Sequence, residues 1–186
     1  MRLFAIAILF SSVLPACAPL AREHQADAAF RSALGAQLGG DADRAEREYR
    51  QVIALGFQWS PVWNNLAVLA VRQHQYIDGR RLLRRAVACN DRDVVALTNY
   101  GVMSYYLSDF REAERALTSA RALRRDILDH IPSVGAGQWD ADRWERATAR
   151  LDATAEKYLA RIDRAEMSGE PAPASEILAA LTVHPL

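Results

Sequence analysis

A repeat of 34 residues is the feature that most constrains how this chain can fold. Aligning Ala67 with Gly101 yields three consecutive copies, residues 26–59, 60–93 and 94–127. Positions eight and twenty of the copies hold small residues, whereas positions four, seven and twenty-four hold mostly larger ones. Close helix contacts require small residues, and large residues fill the space between neighbouring pairs, so each copy is predicted to be a helix pair. In the order four, seven, eight, twenty and twenty-four, the residues are Ala29, Ser32, Ala33, Ala45 and Tyr49; Trp63, Leu66, Ala67, Gly79 and Leu83; and Leu97, Tyr100, Gly101, Ala113 and Leu117.

The chain is therefore predicted to be all-α, an α-solenoid of about three helix pairs with a long C-terminal capping helix. Val and Ile rarely alternate with polar residues, which argues against a sheet. Ser60, followed by Pro61, is predicted to cap the helix that opens the second copy. Asp41 and Asp109 are predicted to cap the second helices of the first and third copies, and Gly56 is a predicted helix stop.

The repeat ends at residue 127, and three further segments follow. Residues 128–139 are rich in turn-forming residues and are predicted to form a loop. Residues 140–167 are predicted to form a helix that seals the last repeat, and a heptad-like dimer helix is the alternative. Residues 168–186 combine a linker composition with a short apolar segment that either folds back on the array or docks elsewhere. The apolar stripe of the long helix consists of Trp144, Ala147, Leu151, Ala155, Tyr158, Ile162 and Ala165.

The N-terminus is predicted to be a targeting segment. Arg2 precedes an apolar run that is shorter than the roughly 20 residues of a membrane-spanning helix. The run ends in Leu14-Pro15-Ala16-Cys17, which resembles a bacterial lipobox and implies that residues 1–16 are a lipoprotein signal peptide. Ordinary cleavage near Cys17, or an uncleaved helix, is the alternative. Acylated Cys17 with Ala18 after it implies a lipid anchor on the periplasmic side of the outer membrane, with residues 17–25 as a tether.

Charge and cysteine usage exclude two classes of protein. The 23 Lys and Arg residues balance 23 Asp and Glu residues, and the Arg-rich stretches lie near acids, so nucleic acid is not predicted as a partner. Only Cys17 and Cys89 are present, so a disulfide framework is excluded. Cys89 is predicted to be a small buried apolar residue.

The sequence predicts no catalytic residue, no metal site and no cofactor. The four histidines lie far apart, and none has the paired spacing of metal ligands. Glycine-rich phosphate loops and the Gly-x-Ser-x-Gly motif are absent from the sequence. A carboxylate–histidine cluster around Asp126 and His130 is the remote enzymatic alternative. The protein is therefore predicted not to be an enzyme and to have no small-molecule substrate.

The segments Trp63-Asn64-Asn65-Leu66-Ala67, Asn99-Tyr100-Gly101 and Asp109-Phe110-Arg111-Glu112-Ala113 resemble the tetratricopeptide family over residues 26–127. That resemblance implies a concave groove lined from the first helix of each pair. The groove is mostly apolar, which favours an extended or helical apolar segment of a protein partner. The alternative is that several of these residues pack against the terminal helix or tail. The predicted groove residues are Phe30, Leu34, Gln37, Asn64, Val68, Val71, Thr98, Val102 and Tyr105.

The leading functional hypothesis is a lipid-anchored scaffold that assists assembly of a pilus or secretion complex. It rests on similarity to the small tetratricopeptide lipoproteins of pilus systems. One alternative is a scaffold or regulator of peptidoglycan enzymes or other envelope enzymes. Another is a structural link to peptidoglycan, which would need exposed aromatic side chains at Trp59, Trp139 and Trp144.

Overall fold

The computed structural model describes residues 14–130, 141–163 and 174–185, and the chain divides into two compact units, residues 1–57 and 58–186. The described residues contain helices and connecting segments, with no strand among them. No helix in these ranges is both long enough and apolar enough to span a bilayer. The helices are α1 (Leu14–Leu38), α2 (Ala42–Ala54), α3 (Ser60–Arg72), α4 (Tyr76–Cys89), α5 (Val94–Tyr106), α6 (Phe110–His130), α7 (Ala141–Asp163) and α8 (Ala174–Ala180).

The first unit is the helix pair α1 and α2. Ala33 and Ala45 are fully buried, as expected of the small positions at a close helix contact. Asp41 caps α2 by accepting a hydrogen bond from Arg44 N at 3.0 Å. The pair ends just beyond α2 at Gly56, whose φ of 95° is one that glycine adopts without strain.

The start of α1 differs from the prediction. Residues 17–25, expected to be a tether, are helical and continuous with the rest of α1. Arg22 Nη2 donates to the carbonyl of Leu55 at 2.9 Å, which joins this part of α1 to the end of α2. Residues 1–13 of the predicted signal peptide lie outside the described residues.

The second unit contains the pairs α3–α4 and α5–α6, with α4 against α5 and α7 against α5 and α6. The glycines explain how closely the helices of each pair approach. A Cβ at Gly79 would stand 2.7 Å from Val71 Cγ2, and one at Gly101 would stand 2.6 Å from Leu117 Cγ. The predicted all-α fold of helix pairs is confirmed.

The face of the capping helix α7 that packs against the repeats contains both apolar and polar residues. Leu151, Ala155 and Tyr158 are buried, as predicted, but Ala147 is exposed and Thr148 is buried in its place. Thr148 tolerates this position because its hydroxyl donates to Trp144 O at 2.8 Å and accepts from Arg124 Nε at 2.8 Å. Asp140, where the predicted helix begins, and Trp139 and Ala165 lie outside the described residues.

Three further predictions need correction. Ser60 does not cap α3: Trp59 occupies the N-cap position without a side-chain cap bond, and the hydroxyl of Ser60 donates elsewhere. Cys89 is exposed, because it is the last residue of α4 and lies beyond the final buried position, Ala86. The predicted loop at 128–139 begins later, since α6 continues to His130.

Candidate functional site

The face of α3 and α5 that carries Asn64, Asn65 and Asn99 forms a surface that we call the α3–α5 groove. All three asparagines are fully buried. Asn99 Nδ2 donates to Asn64 Oδ1 at 2.8 Å, and Asn64 Nδ2 donates to Asn65 Oδ1 at 3.1 Å. A chain of amides in an otherwise apolar interior is costly unless every amide finds partners, so the remaining partners indicate what the groove holds.

Those partners belong to the C-terminal segment, residues 174–185, which comprises α8 and a stretch without helix or strand after it. The segment packs against α3 and α5. Ile177 and Leu181 are 4% and 5% exposed and join the same apolar cluster as Val68 and Tyr105. Of the two sequence-based alternatives for the tail, fold-back is the one that the structure adopts.

Asn65 and Asn99 each pair with the main chain of one tail residue at both its N–H and its C=O. Asn99 Nδ2 donates to Thr182 O at 2.7 Å, and Thr182 N donates to Asn99 Oδ1 at 2.9 Å. Asn65 repeats the pattern with His184, at 2.8 Å and 2.7 Å. A carboxamide thus presents to the tail the same donor and acceptor as the edge of a strand.

The spacing of these contacts follows from the repeat. The tail contacts the asparagines at residues 182 and 184, which is the spacing of an extended chain, where main-chain groups two residues apart face the same side. Asn65 and Asn99 occupy position six of the second and third copies. Two residues of extended chain therefore correspond to one repeat, and each asparagine recognises the main chain of its tail residue.

A buried carboxylate holds the far end of the tail. Asp93 is 5% exposed, accepts from Ser60 Oγ at 2.5 Å and caps α5 through Ala96 N at 3.0 Å. His184 Nε2 lies 3.2 Å from the same Oδ2 atom that Ser60 contacts. Asp93 is therefore shared by α3, α5 and the tail.

Electrostatics favours a charged pair at Asp93 and His184. Burial by itself raises the pKa of Asp93, but hydrogen bonding and charge from His184, with hydrogen bonds from Ser60 and Ala96, leave that pKa below its ordinary value. Burial lowers the pKa of His184, but the hydrogen bond and charge of Asp93 leave it above its ordinary value. Both directions mean that the ionised forms stabilise each other.

The trio Ser60, Asp93 and His184 contains the residue types of a hydrolase triad in a different order. In a triad the histidine stands between serine and carboxylate and takes the hydroxyl proton. The hydroxyl of Ser60 instead donates directly to Asp93, and the carboxylate is central. This geometry holds a tail in place. No group of three or more His, Cys, Asp or Glu side chains within the described ranges is arranged to bind a metal ion.

A second ionic contact holds the start of the C-terminal segment. Arg161 Nη1 on α7 lies 2.9 Å from Glu176 Oε1, and Lys157 Nζ lies 3.7 Å from it. Burial raises the pKa of Glu176, but Arg161 outweighs it and leaves that pKa below its ordinary value. The Arg161 guanidinium also stacks over Tyr105 and Tyr158, at 5.1 Å and 5.7 Å from the ring centroids.

The structure distributes the nine predicted groove residues among different environments. In the second unit, Asn64 donates to Thr182 O at 3.0 Å, and Val68, Val102 and Tyr105 belong to the cluster that buries Ile177 and Leu181. Val71 lies in the same cluster, against Gly79 of α4. Thr98 donates to Val94 O within its own helix at 2.8 Å. Their role toward a partner stays a prediction.

The three predicted groove residues of the first unit lie on α1. Phe30 is fully buried with its ring edge-on to Tyr49, at 5.6 Å between centroids. Gln37 is also buried and accepts from Tyr49 OH at 2.8 Å. Leu34 is half-buried. Two of the three thus pack inside their own helix pair.

Sequence reasoning missed the residues that make the most specific contacts: Asn65, Asn99, Asp93 and His184. One signal was available, because the 34-residue alignment places asparagine at position six in both the second and the third copy. A repeated polar residue on an apolar face indicates a repeated hydrogen-bonding task. The partner of that task could not be identified from the repeat itself.

Comparison with known proteins identifies a similar fold. No family model matches this sequence, and no curated protein matches it. Among solved structures, pilF of Pseudomonas aeruginosa aligns with a TM-score of 0.51 and 19% identity, covering 86% of this chain and 76% of that one. That protein contains tetratricopeptide repeats. The fold is tetratricopeptide-like.

Proposed function

We propose that this chain is a non-enzymatic scaffold whose α3–α5 groove binds a segment of another protein. The observation that carries the proposal is the pair of two-point contacts from Asn65 and Asn99 to an extended main chain. Carboxamides spaced one repeat apart bind a peptide by its backbone, as strand addition does, while the apolar cluster that buries Ile177 and Leu181 selects side chains.

The finer proposal places the scaffold on the periplasmic side of the outer membrane, assisting assembly of a pilus or secretion complex. Two observations support it: the lipobox-like sequence that ends at Cys17, and the likeness in fold to pilF of Pseudomonas aeruginosa. The anchor would be the acylated cysteine, and multiple acyl chains hold far more firmly than one.

The alternative, regulation of peptidoglycan enzymes or other envelope enzymes, would use the same groove with a different partner. Direct contact with peptidoglycan receives less support. Trp59 and Trp144 are half-buried, and Trp144 packs against the cluster that contains Val94 and Leu97. These two rings therefore do not form an open aromatic platform.

The proposal is tested by in-cell crosslinking and capture from the envelope, comparing the native chain with Asn99→Asp and Asn90→Asp. The aspartate at 99 would oppose the carbonyl of Thr182, or that of a partner, with an acceptor. Asn90 is exposed and accepts from Arg92 N at 3.0 Å, which an aspartate also does, so it controls for charge.

A protein captured by the native chain and by Asn90→Asp, but lost with Asn99→Asp, supports the proposal. Far-UV circular dichroism of each purified variant checks that the helices remain. A pilus or secretion component among the captured proteins favours the leading assignment, and an envelope hydrolase favours the alternative. Equal capture by all three chains would overturn binding at this groove.

A further inference from the structure

The C-terminal segment is held as a ligand is held. The array contacts its main chain at Thr182, at His184 and at Ala179, whose carbonyl accepts from Arg150 Nη2 at 2.7 Å. Among residues 175–185, Ile177 and Leu181 are buried, and Leu178, Ala180 and Val183 pack partly buried against the same cluster. The helices of the repeats, by contrast, bury continuous stripes.

The ends of the segment meet opposite charges. Glu176 faces Arg161 and Lys157 of α7, whereas His184 faces Asp93. Asp93 is nearly inaccessible to solvent, so an occupant without a cation or donor at this point would leave a buried carboxylate short of a partner. Charge complementarity therefore sets the direction in which a segment can lie in the groove.

We infer that the C-terminal segment is an exchangeable occupant of the α3–α5 groove, and that the external ligand is a protein segment with the same pattern. The pattern is an acidic residue followed at once by an apolar one, a second apolar residue four positions later, and then an extended stretch. A histidine, lysine or arginine stands three residues after the second apolar residue. This inference rests on the proposed function and specifies its partner.

Competition between the two occupants has a measurable consequence. A tethered segment is present at an effective concentration of about millimolar, so a free ligand binds the native chain only against that competitor. Releasing the tail should therefore strengthen binding of a free peptide. The linker composition of Ser168-Gly169-Glu170-Pro171-Ala172-Pro173 is typical of a tether.

The probe is a fluorescein-labelled synthetic peptide of residues 174–186, and binding is measured by fluorescence anisotropy. The proteins are the native full chain and the full-chain variant Ile177→Asp/Leu181→Asp, which loses both apolar anchors. We expect the probe to bind the variant at least about tenfold more tightly than the native chain. A second release variant, Glu176→Arg/His184→Glu, keeps the anchors and reverses both end charges, in case the first fails to fold.

Backbone recognition is tested with N-methylated probes. Methylation at Thr182 or His184 removes a hydrogen-bond donor and should weaken binding by about tenfold. Methylation at Val183 is the matched control, because within the described residues its main chain makes no hydrogen bond to the array. It should change affinity by no more than about twofold.

Three results would overturn the inference. If hydrogen exchange finds residues 175–185 unprotected in the native chain, the chain's own C-terminal segment does not occupy the groove. If a released variant binds the probe no better than the native chain, the tail does not compete with a free ligand for the groove. A partner that is still captured through Asn99 would then leave the proposed function intact. Native dimers that disappear in Ile177→Asp/Leu181→Asp would assign the groove to the tail of a second copy.

Discussion

At the scale of single residues, Gly101 decides how closely α5 and α6 approach. A Cβ at this position would lie 2.6 Å from Leu117 Cγ and 3.3 Å from Ala113 O. We expect Gly101→Ala to lower the free energy of unfolding by about 1–3 kcal/mol, although alanine is the better helix former. Urea unfolding followed by far-UV circular dichroism measures the change.

Two controls identify the contact as the cause. A Cβ added at Gly35 in helix α1 would meet no atom within 4 Å, so Gly35→Ala should stabilise its own unit by about 0.5–1 kcal/mol. Leu117→Ala removes the clashing atoms, so the double variant with Gly101→Ala should cost less than the two separate costs combined. Strict additivity would show that the helix contact is not responsible.

The pair Asp93 and His184 predicts a pH dependence of tail docking. The pKa of His184 is raised above its ordinary value of 6.5, so its contribution is complete below that value and is lost as pH rises through the raised pKa. The pKa of Asp93 is lowered from 3.8, so its contribution is present above that value and is lost as pH falls through the lowered pKa. Both contributions are complete between pH 3.8 and 6.5, so docking should be strongest in that window.

An NMR titration of the His184 ring checks this prediction. Asp93→Asn keeps a side chain that can cap α5 but removes the charge, so the pKa of His184 should fall. Protection of the Thr182 amide should decrease as pH rises through the docked pKa in the native chain and lose that dependence in His184→Gln. An unchanged His184 pKa in Asp93→Asn would contradict the assignment.

At the scale of helices, α7 closes the end of the array. Leu151 is 4% exposed and packs in a cluster with Val94, Leu97 and Leu123 of α5 and α6. We expect Leu151→Ala to lower the free energy of unfolding by about 2–5 kcal/mol, because it leaves a cavity at this contact. Thermal and urea unfolding of the full chain measure the loss.

The matched control is Ile77→Ala in the same unit. Ile77 is 64% exposed on α4, so its truncation should change stability by no more than about 0.5 kcal/mol. Equal losses at the two positions would mean that α7 contributes little to the second unit. A loss confined to Leu151 would support α7 as the helix that seals the last repeat.

At the scale of the whole molecule, the proposed lipid anchor requires acylation of Cys17 and not of Cys89. Cys17→Ser should abolish incorporation of labelled palmitate and move the protein out of the membrane fraction. Cys89 is an exposed free thiol at the end of α4, so Cys89→Ser should retain both label and fractionation. Label retained in Cys17→Ser would contradict acylation at that residue.

Contacts between neighbouring helices could be predicted from the sequence because they recur. Ala33 and Ala67 are fully buried at position eight, and Ala45 and Ala113 are fully buried at position twenty. Each repeat places small residues at the same positions of its helix pair, so the contacts are visible in the sequence as a period of 34 residues. Helix ends set by local chemistry, such as the Asp41 cap, were also predictable.

Contacts between distant segments were decided only by the tertiary structure. Ser60 has the local signature of a cap, yet its hydroxyl donates to Asp93, 33 residues away. Asn65 and Asn99 find their partners 119 and 83 residues along the chain. The tail itself does not repeat, and the recurrence of asparagine at position six does not identify its partner. The sequence therefore determined the helix pairs, whereas folding of the tail onto α3 and α5 determined what occupies the groove.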